Sequence, residues 1–143
     1  MKAQSKPAKP LKSAPACPCG HAQAYAACCG RYHAGIAAPT AEALMRSRYS
    51  AYALGLAGYL LDTWAAETRP APLDLSTPPQ PKWLGLEIRR AEEKGDAATV
   101  EFLARCKING RAERLHECSR FVRRRAGDEW RWYYVDGDFP GDG

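Results

Sequence analysis

The sequence predicts an α+β fold, in which a small cysteine-rich knuckle is followed by helices packed on a curved, four-stranded antiparallel sheet. Three observations lead to this prediction. Apolar residues recur at helical spacing between Thr40 and Gly55. From Trp83 onwards the apolar period changes to two, which is the period of a strand. Three tight turns then divide the rest of the chain, at Lys94-Gly95-Asp96, Asn109-Gly110 and Gly127-Asp128. Because each turn reverses the chain, the four strands should form a meander.

Residues 1–15 are predicted to be a disordered basic tail. They contain four lysines and no acidic residue, and they are poor in the large apolar side chains that order a segment. The tail supplies most of the formal net charge of +5, so the charge of the folded body does not favour a nucleic-acid partner. No segment has the apolar run of a signal peptide or of a membrane span, and we therefore expect a cytoplasmic protein.

Residues 16–35 are predicted to form a zinc knuckle. Four of the six cysteines fall within thirteen residues, in Cys17-Pro-Cys19-Gly20 and Cys28-Cys29-Gly30. Thiolates are soft ligands that suit zinc, and a structural zinc site takes four of them in a tetrahedron. We therefore predict one structural zinc ion per chain, with Cys17, Cys19, Cys28 and Cys29 as its ligands.

Other interpretations of the cysteines were weighed against zinc. A disulfide framework requires an oxidising compartment, and the adjacent Cys28 and Cys29 cannot pair without strain. Redox-active thiols and a cluster without metal remain alternatives. His21 and His33 flank the cluster, where either could replace one sulfur; otherwise both are expected to be solvent-exposed loop side chains.

The first part of the predicted α+β body, residues 36–137, is helical. Thr40 is a plausible N-cap, and Gly55 a natural end, for a helix whose inward face is apolar. A second, shorter helix is expected from Gly58 to Trp64. Residues 70–81 contain five prolines and are expected to form an irregular connector.

Four strands are expected after the connector. In the first, Leu84, Leu86 and Ile88 alternate. The second runs through Val100 to Ala104 and ends at Asn109-Gly110, the strongest hairpin signal of the chain, because both positions of a type I′ turn need positive φ. The third spans about 111–125 and the last about 129–135.

A concave space between helix and sheet could hold a polar pocket. Arg48 lies within the apolar stripe of the first helix, and Glu117 shares a strand face with apolar neighbours. Two isolated buried charges would be very costly, so we expect these residues to be neighbours. One interpretation is a buried Arg48–Glu117 ion pair that fixes the helix on the sheet. The other is a ligand pocket, lined by Arg48, Tyr52, Glu117, Ser119 and Tyr133.

Several motifs carry a resemblance to a known family. Cys17-Pro-Cys19 and Cys28-Cys29-Gly30 are separated by the eight residues Gly20 to Ala27, which include Tyr25, and this pattern is similar to a SEC-C motif. Four further motifs stand in the order found in YchJ-like bacterial proteins: Arg46-Ser-Arg-Tyr-Ser-Ala-Tyr52, Thr63-Trp64, His116-Glu117-Cys-Ser119-Arg120-Phe121 and Trp132-Tyr-Tyr-Val-Asp-Gly137. The resemblance implies a SEC-C zinc knuckle followed by a nuclear-transport-factor-two-like domain, which is a cystatin-like cone.

Two classes of function follow. SEC-C modules in the tail of the preprotein translocase motor bind a chaperone, so the resemblance implies a non-catalytic adaptor with a protein partner, such as a chaperone or a translocation or ribosome component. The alternative is an enzyme or a small-ligand carrier that uses the concave pocket. The sequence lacks a phosphate-binding glycine loop and a nucleophile elbow, which favours the adaptor.

Overall fold

The computed structural model describes residues 16–76 and 78–140, and confirms the predicted α+β class. The predicted disordered tail, 1–15, lies outside the described residues. A short 3₁₀ turn, Tyr25–Ala27, is followed by three helices and four strands: α1 Cys29–His33, α2 Ala41–Leu54, α3 Ala57–Asp62, β1 Lys82–Lys94, β2 Ala97–Ile108, β3 Arg111–Ala126 and β4 Glu129–Asp138.

The long helix α2 begins and ends where the sequence predicts. The Thr40 hydroxyl accepts a hydrogen bond from the amide of Ala43 at 3.0 Å and so caps one free amide of the first turn. Gly55 adopts the left-handed conformation, φ 75°, and ends the helix. No helix within the described ranges is long and apolar enough to cross a membrane.

The four strands form the predicted antiparallel meander, in the order β1-β2-β3-β4. Asn109 and Gly110 connect β2 to β3 with φ values of 53° and 80°, the two positive values that a type I′ turn requires. The sheet is therefore built from local reversals alone.

Strand β1 departs from the predicted alternation at Leu84. The register with β2 shifts between Trp83 and Gly85, so one extra residue is inserted at this point. Leu84 is consequently 50% exposed, whereas Trp83 and Leu86 pack against the core. The prediction that Leu84 shares a face with Leu86 was wrong, because a bulge reverses the side-chain alternation.

One buried cluster joins the knuckle to the α+β body. The four knuckle cysteines and Tyr32 belong to the same core as α2 side chains and the inner face of the sheet. The largest sheet contributors are Val100, Phe102, Phe121 and Trp132. The knuckle thus lies against α2 and forms one continuous interior with the body.

Candidate functional site

Short local turns bring the two cysteine pairs together. The amide of Cys17 donates to the carbonyl of Gln23 at 2.9 Å, and Gly20 turns the chain with φ 99°. Cys28 follows the 3₁₀ turn, and its amide donates to the carbonyl of Tyr25 at 3.0 Å. Cys29 is the first residue of α1. These reversals aim all four sulfurs at one point.

The sulfur geometry fits a four-coordinate metal. The four Sγ atoms lie within 4.8 Å of one another, and those of Cys19 and Cys28 are 3.7 Å apart. A tetrahedral zinc ion with bonds of about 2.3 Å requires sulfurs roughly 3.8 Å apart. All four side chains are buried, with exposed fractions of 0–4%. The cluster could therefore bind a metal ion.

The thiols have very different proton affinities. Cys29 hydrogen-bonds the sulfur of Cys19 and lowers the pKa of Cys19 to about 4. Burial, together with the neighbouring Cys19, raises the pKa of Cys28 to about 11, and the Cys19 contact raises the pKa of Cys29 as well. The negative charge of one thiolate thus makes its neighbours harder to deprotonate, and a bound divalent cation would offset that charge.

Side chains of helix α2 contact the cysteine cluster. The Ser50 hydroxyl lies 3.5 Å from the sulfur of Cys17, and Arg46 donates to the carbonyl of Cys19 at 3.0 Å. Arg31 donates to the carbonyl of Cys28 at 3.1 Å. Sequence reasoning did not single out these residues as part of the site, because none of them belongs to a metal-ligand pattern. The contacts of Arg46 and Ser50 join the knuckle to α2, whereas the Arg31 contact is local to the start of α1.

The two candidate histidines have different environments. His21 is exposed, and its Nδ1 lies 3.4 Å from the sulfur of Cys28. The expectation of a solvent-exposed loop was wrong for His33, which is half-buried against α2. Its Nε2 donates to the carbonyl of Ser47 at 2.8 Å, and its Nδ1 accepts from the hydroxyl of Tyr25 at 2.5 Å. Burial lowers the pKa of His33, in agreement with a neutral imidazole that is hydrogen-bonded at both ring nitrogens.

A cavity of about 340 Å³ lies between α2 and the concave face of the sheet, as predicted from the fold. Most of its lining is apolar or aromatic, and Arg48, Glu117 and Ser119 supply charged and polar groups. The remaining lining residues are Met45, Tyr49, Tyr52, Trp83, Phe102, Ala104, Leu115, Tyr134 and Phe139. Arg48, Tyr52, Glu117 and Ser119 thus line one cavity, whereas Tyr133 lies elsewhere.

Tyr134 takes the place predicted for Tyr133. Regular pairing from the turn between β3 and β4 sets Tyr134 opposite Phe121, on the strand face that also holds the buried Trp132. The side chain of Tyr134 therefore turns to the cavity, and Tyr133 lines a separate recess beside His33. A two-residue period counted from Trp132 places Tyr134, and not Tyr133, on this face.

Arg48 is buried, with 4% of its surface exposed. Its Nη1 donates to the carbonyl of Leu60 at 2.8 Å and to the hydroxyl of Thr63 at 2.7 Å. Its guanidinium lies over the rings of Trp64 and Tyr134, with centroid distances of 4.9 and 4.5 Å. Arg48 thereby ties α2 to α3 and to the sheet.

Glu117 has its own set of partners. Its Oε2 accepts hydrogen bonds from Ser119 and from Tyr134, each at 2.9 Å. Among the ion pairs of the described residues, none joins Glu117 to Arg48. The predicted direct ion pair was therefore wrong: hydroxyl groups hold the carboxylate, while carbonyl and hydroxyl oxygens hold the guanidinium. The two charges instead face one cavity.

Gly137 makes room for the Glu117 side chain. It pairs with Ser119 across β3 and β4, and a Cβ atom at this position would collide with the Glu117 carboxyl group. We expect Gly137→Ala to lower the free energy of unfolding by about 1–3 kcal/mol, the usual range for overpacking. Urea denaturation would measure this change.

The same substitution in a Glu117→Ala background serves as the control, because the colliding side chain is then absent. Gly58→Ala in α3, where a Cβ would meet nothing within 4 Å, should be neutral or stabilising. An equal cost of Gly137→Ala in both backgrounds would show that Glu117 is not the obstacle.

The chain is similar to curated bacterial proteins. It is 54% identical over 134 residues to a UPF0225 protein of Bordetella parapertussis, a match that covers 91% of this chain and 97% of that protein. A UPF0225 protein of Chromobacterium violaceum is 56% identical over 128 residues, which cover 85% of this chain and 91% of the relative.

Two solved structures share the fold. The solution structure of a SEC-C motif containing protein from Rhodopseudomonas palustris matches with a TM-score of 0.76 and 35% identity, over 87% of this chain and 98% of that one. The crystal structure of a SEC-C motif containing protein from Psychrobacter arcticus matches with a TM-score of 0.72 and 30% identity, over 89% of this chain and 84% of that one.

A family model covers most of the body. Residues 40–137 match the model described as the YchJ, middle NTF2-like domain. This range contains α2, α3 and nearly the whole sheet, with every polar residue of the cavity. The chain therefore belongs to the UPF0225 family and contains a YchJ-type, NTF2-like domain.

Proposed function

We propose that the protein is a non-catalytic adaptor, in which a structural zinc ion holds the knuckle and the outer side of the knuckle docks on a protein partner. The observation that carries the proposal is a closed set of four buried sulfurs. A catalytic zinc site keeps one coordination position open for water or substrate, whereas four cysteines fill the tetrahedron. The metal would then fix the shape of the knuckle.

Zinc is the metal that best suits this donor set. Four thiolates at tetrahedral spacing favour zinc over magnesium or calcium, which prefer oxygen ligands. The SEC-C motif of the two solved relatives supports the same assignment. The proposal also agrees with a cytoplasmic location, where thiols stay reduced and free to bind metal.

The docking surface would be the knuckle face, defined here as His21, Ala22, Gln23, Ala26 and Ala27. All five residues are exposed. Their side chains are mostly small, so little rotamer entropy would be lost when a partner covers them. Residues 1–41 contain no aspartate or glutamate. A partner with an acidic surface would therefore meet no carboxylate in this part of the chain, and the four thiolates are buried and partly neutralised by the zinc ion.

An added carboxylate on the knuckle face tests the adaptor. We expect Ala27→Glu to abolish retention of a partner protein by the immobilised full chain in a bacterial lysate, because the new charge would repel an acidic surface. Ala112→Glu, at an exposed position of β3, is the matched control and should retain the partner. Mass spectrometry of the retained proteins gives the readout. Equal retention by both variants would contradict docking through the knuckle face.

A further inference from the structure

The cavity beneath α2 contains two opposite charges with unused hydrogen-bonding capacity. Arg48 and Glu117 are 4% and 7% exposed, and both line the cavity. The metal proposal and the knuckle face use neither of them. Two buried charges that do not pair directly need partners, because charge in a low-dielectric interior is costly.

Arg48 has donors to spare. Both of its hydrogen bonds come from Nη1, so Nε and Nη2 have no hydrogen-bond partner in the described part of the chain. The only fully enclosed side-chain nitrogen or oxygen there without a partner is Nε1 of Trp64. The unbonded nitrogens of Arg48 are therefore not fully enclosed by the protein, and Arg48 lines the cavity.

Glu117 has an acceptor to spare. Ser119 and Tyr134 both donate to Oε2, and Oε1 has no partner among residues 16–76 and 78–140. Oε1 of Glu117 is therefore not fully enclosed by the protein either. The collision that a Cβ at Gly137 would cause shows how closely the strand backbone confines this carboxylate. The free oxygen is thus held in place at the cavity wall.

We infer that this cavity binds a small neutral ligand, apolar or aromatic over most of its surface, whose polar end carries an acceptor and a donor side by side, as a primary carboxamide does. The acceptor would face the free N–H groups of Arg48, and the donor would face Oε1 of Glu117. Because the two protein charges already balance, a ligand with a net charge would leave one of them uncompensated.

The rest of the cavity agrees with this class of ligand. Its volume of about 340 Å³ lies at the lower end of the range for small-molecule pockets. The rings of Tyr52, Trp83 and Phe102 offer surfaces for an apolar or aromatic body. Phe139, 63% exposed, lies at the edge, so the cavity is not sealed from solvent.

Three probes that share one scaffold test the inference: 3-phenylpropanamide, 3-phenylpropanoate and 3-phenylpropylamine. Each is titrated into the ¹⁵N-labelled full chain, and amide shifts report binding at cavity residues. The amide should bind several-fold more tightly than either charged probe. Tightest binding by the carboxylate or the amine, or no cavity shifts with any probe at low-millimolar concentration, would overturn the inference.

Glu117→Gln is the diagnostic variant, because it keeps the shape of the side chain and removes its charge. We expect the affinity for the amide to fall several-fold, since hydrogen bonds to charged groups are roughly twice as strong as neutral ones. The affinity for the carboxylate should rise about tenfold, because the like charge of Glu117 no longer opposes it. Glu113→Gln, exposed on the same strand, should leave the order of the probes unchanged. An unchanged order in Glu117→Gln would overturn the role of this carboxylate. The ranking on the wild-type chain decides the ligand class even if the variant folds poorly.

Discussion

Cys28→Ser is expected to release the metal and to destabilise the whole protein. Serine is a poor zinc ligand, and three thiolates no longer close the tetrahedron. The knuckle cysteines belong to the same buried cluster as α2 and the sheet, so loss of the metal would loosen the core as well as the knuckle. Structural zinc contributes about 10–16 kcal/mol in isolated zinc peptides, which is comparable with the total stability of a domain. Even a loss of about 5 kcal/mol would lower the thermal midpoint by roughly 20 °C.

Native mass spectrometry and thermal unfolding measure the two parts of this result. The wild-type chain, purified without added metal, should carry one zinc ion that a strong chelator removes. Cys118→Ser is the matched control, because Cys118 lies on β3 outside the sulfur cluster. It should keep the zinc ion and most of the stability. A Cys28→Ser protein that retained its full zinc content would refute the four-sulfur assignment.

Arg48→Met is expected to destabilise the α+β body strongly. Methionine fills most of the volume of the arginine stem but removes the short, charged hydrogen bond to the buried carbonyl of Leu60, which keeps only the 3.3 Å contact from the Thr63 hydroxyl. This loss should cost about 1–3 kcal/mol. The contacts with the Trp64 and Tyr134 rings are lost too, at about 1–2 kcal/mol. Glu117 would also lose the opposite charge that lines the same cavity. Together these effects predict a loss of about 3–4 kcal/mol in the free energy of unfolding.

Urea denaturation of the metal-loaded protein is the measurement, with zinc content checked in parallel. Arg124→Met is the control: Arg124 pairs with Glu67 at the surface, so its removal should change the free energy of unfolding little. Arg48→Met should keep its zinc ion, since Arg48 contacts α3 and the sheet rather than the knuckle. A cost no larger than that of Arg124→Met would show that the buried contacts of Arg48 contribute little.

Both predictions involve side chains of helix α2. Arg46 and Ser50 face the knuckle, and Arg48, between them in the sequence, faces the cavity. One helix therefore supports both candidate sites. Loss of zinc would weaken contacts on the knuckle side of α2 and could disturb the position of Arg48. Probe binding to the cavity should consequently be measured only on protein with its full metal content.

The sequence by itself determined the features that depend on neighbouring residues. The cap at Thr40, the end at Gly55 and the turn at Asn109-Gly110 follow from the local backbone chemistry of single residues. The sulfur cluster was predictable for the same reason: two short segments hold all four cysteines, so no long-range contact is needed to name them. Resemblance to known motifs added the family, which the family model and the curated relatives confirm.

The tertiary structure decided which side chains meet. A bulge at Leu84 reverses the alternation of β1, so Leu84 turns outwards. The pairing of Phe121 with Tyr134 places Tyr134 rather than Tyr133 at the cavity. Arg48 and Glu117 were correctly expected to be buried, yet their partners come from Leu60, Thr63, Ser119 and Tyr134 rather than from each other. The period of a sequence reports which face a residue occupies. Pairing partners depend on strand register and helix packing, which are fixed by contacts between segments far apart in the chain.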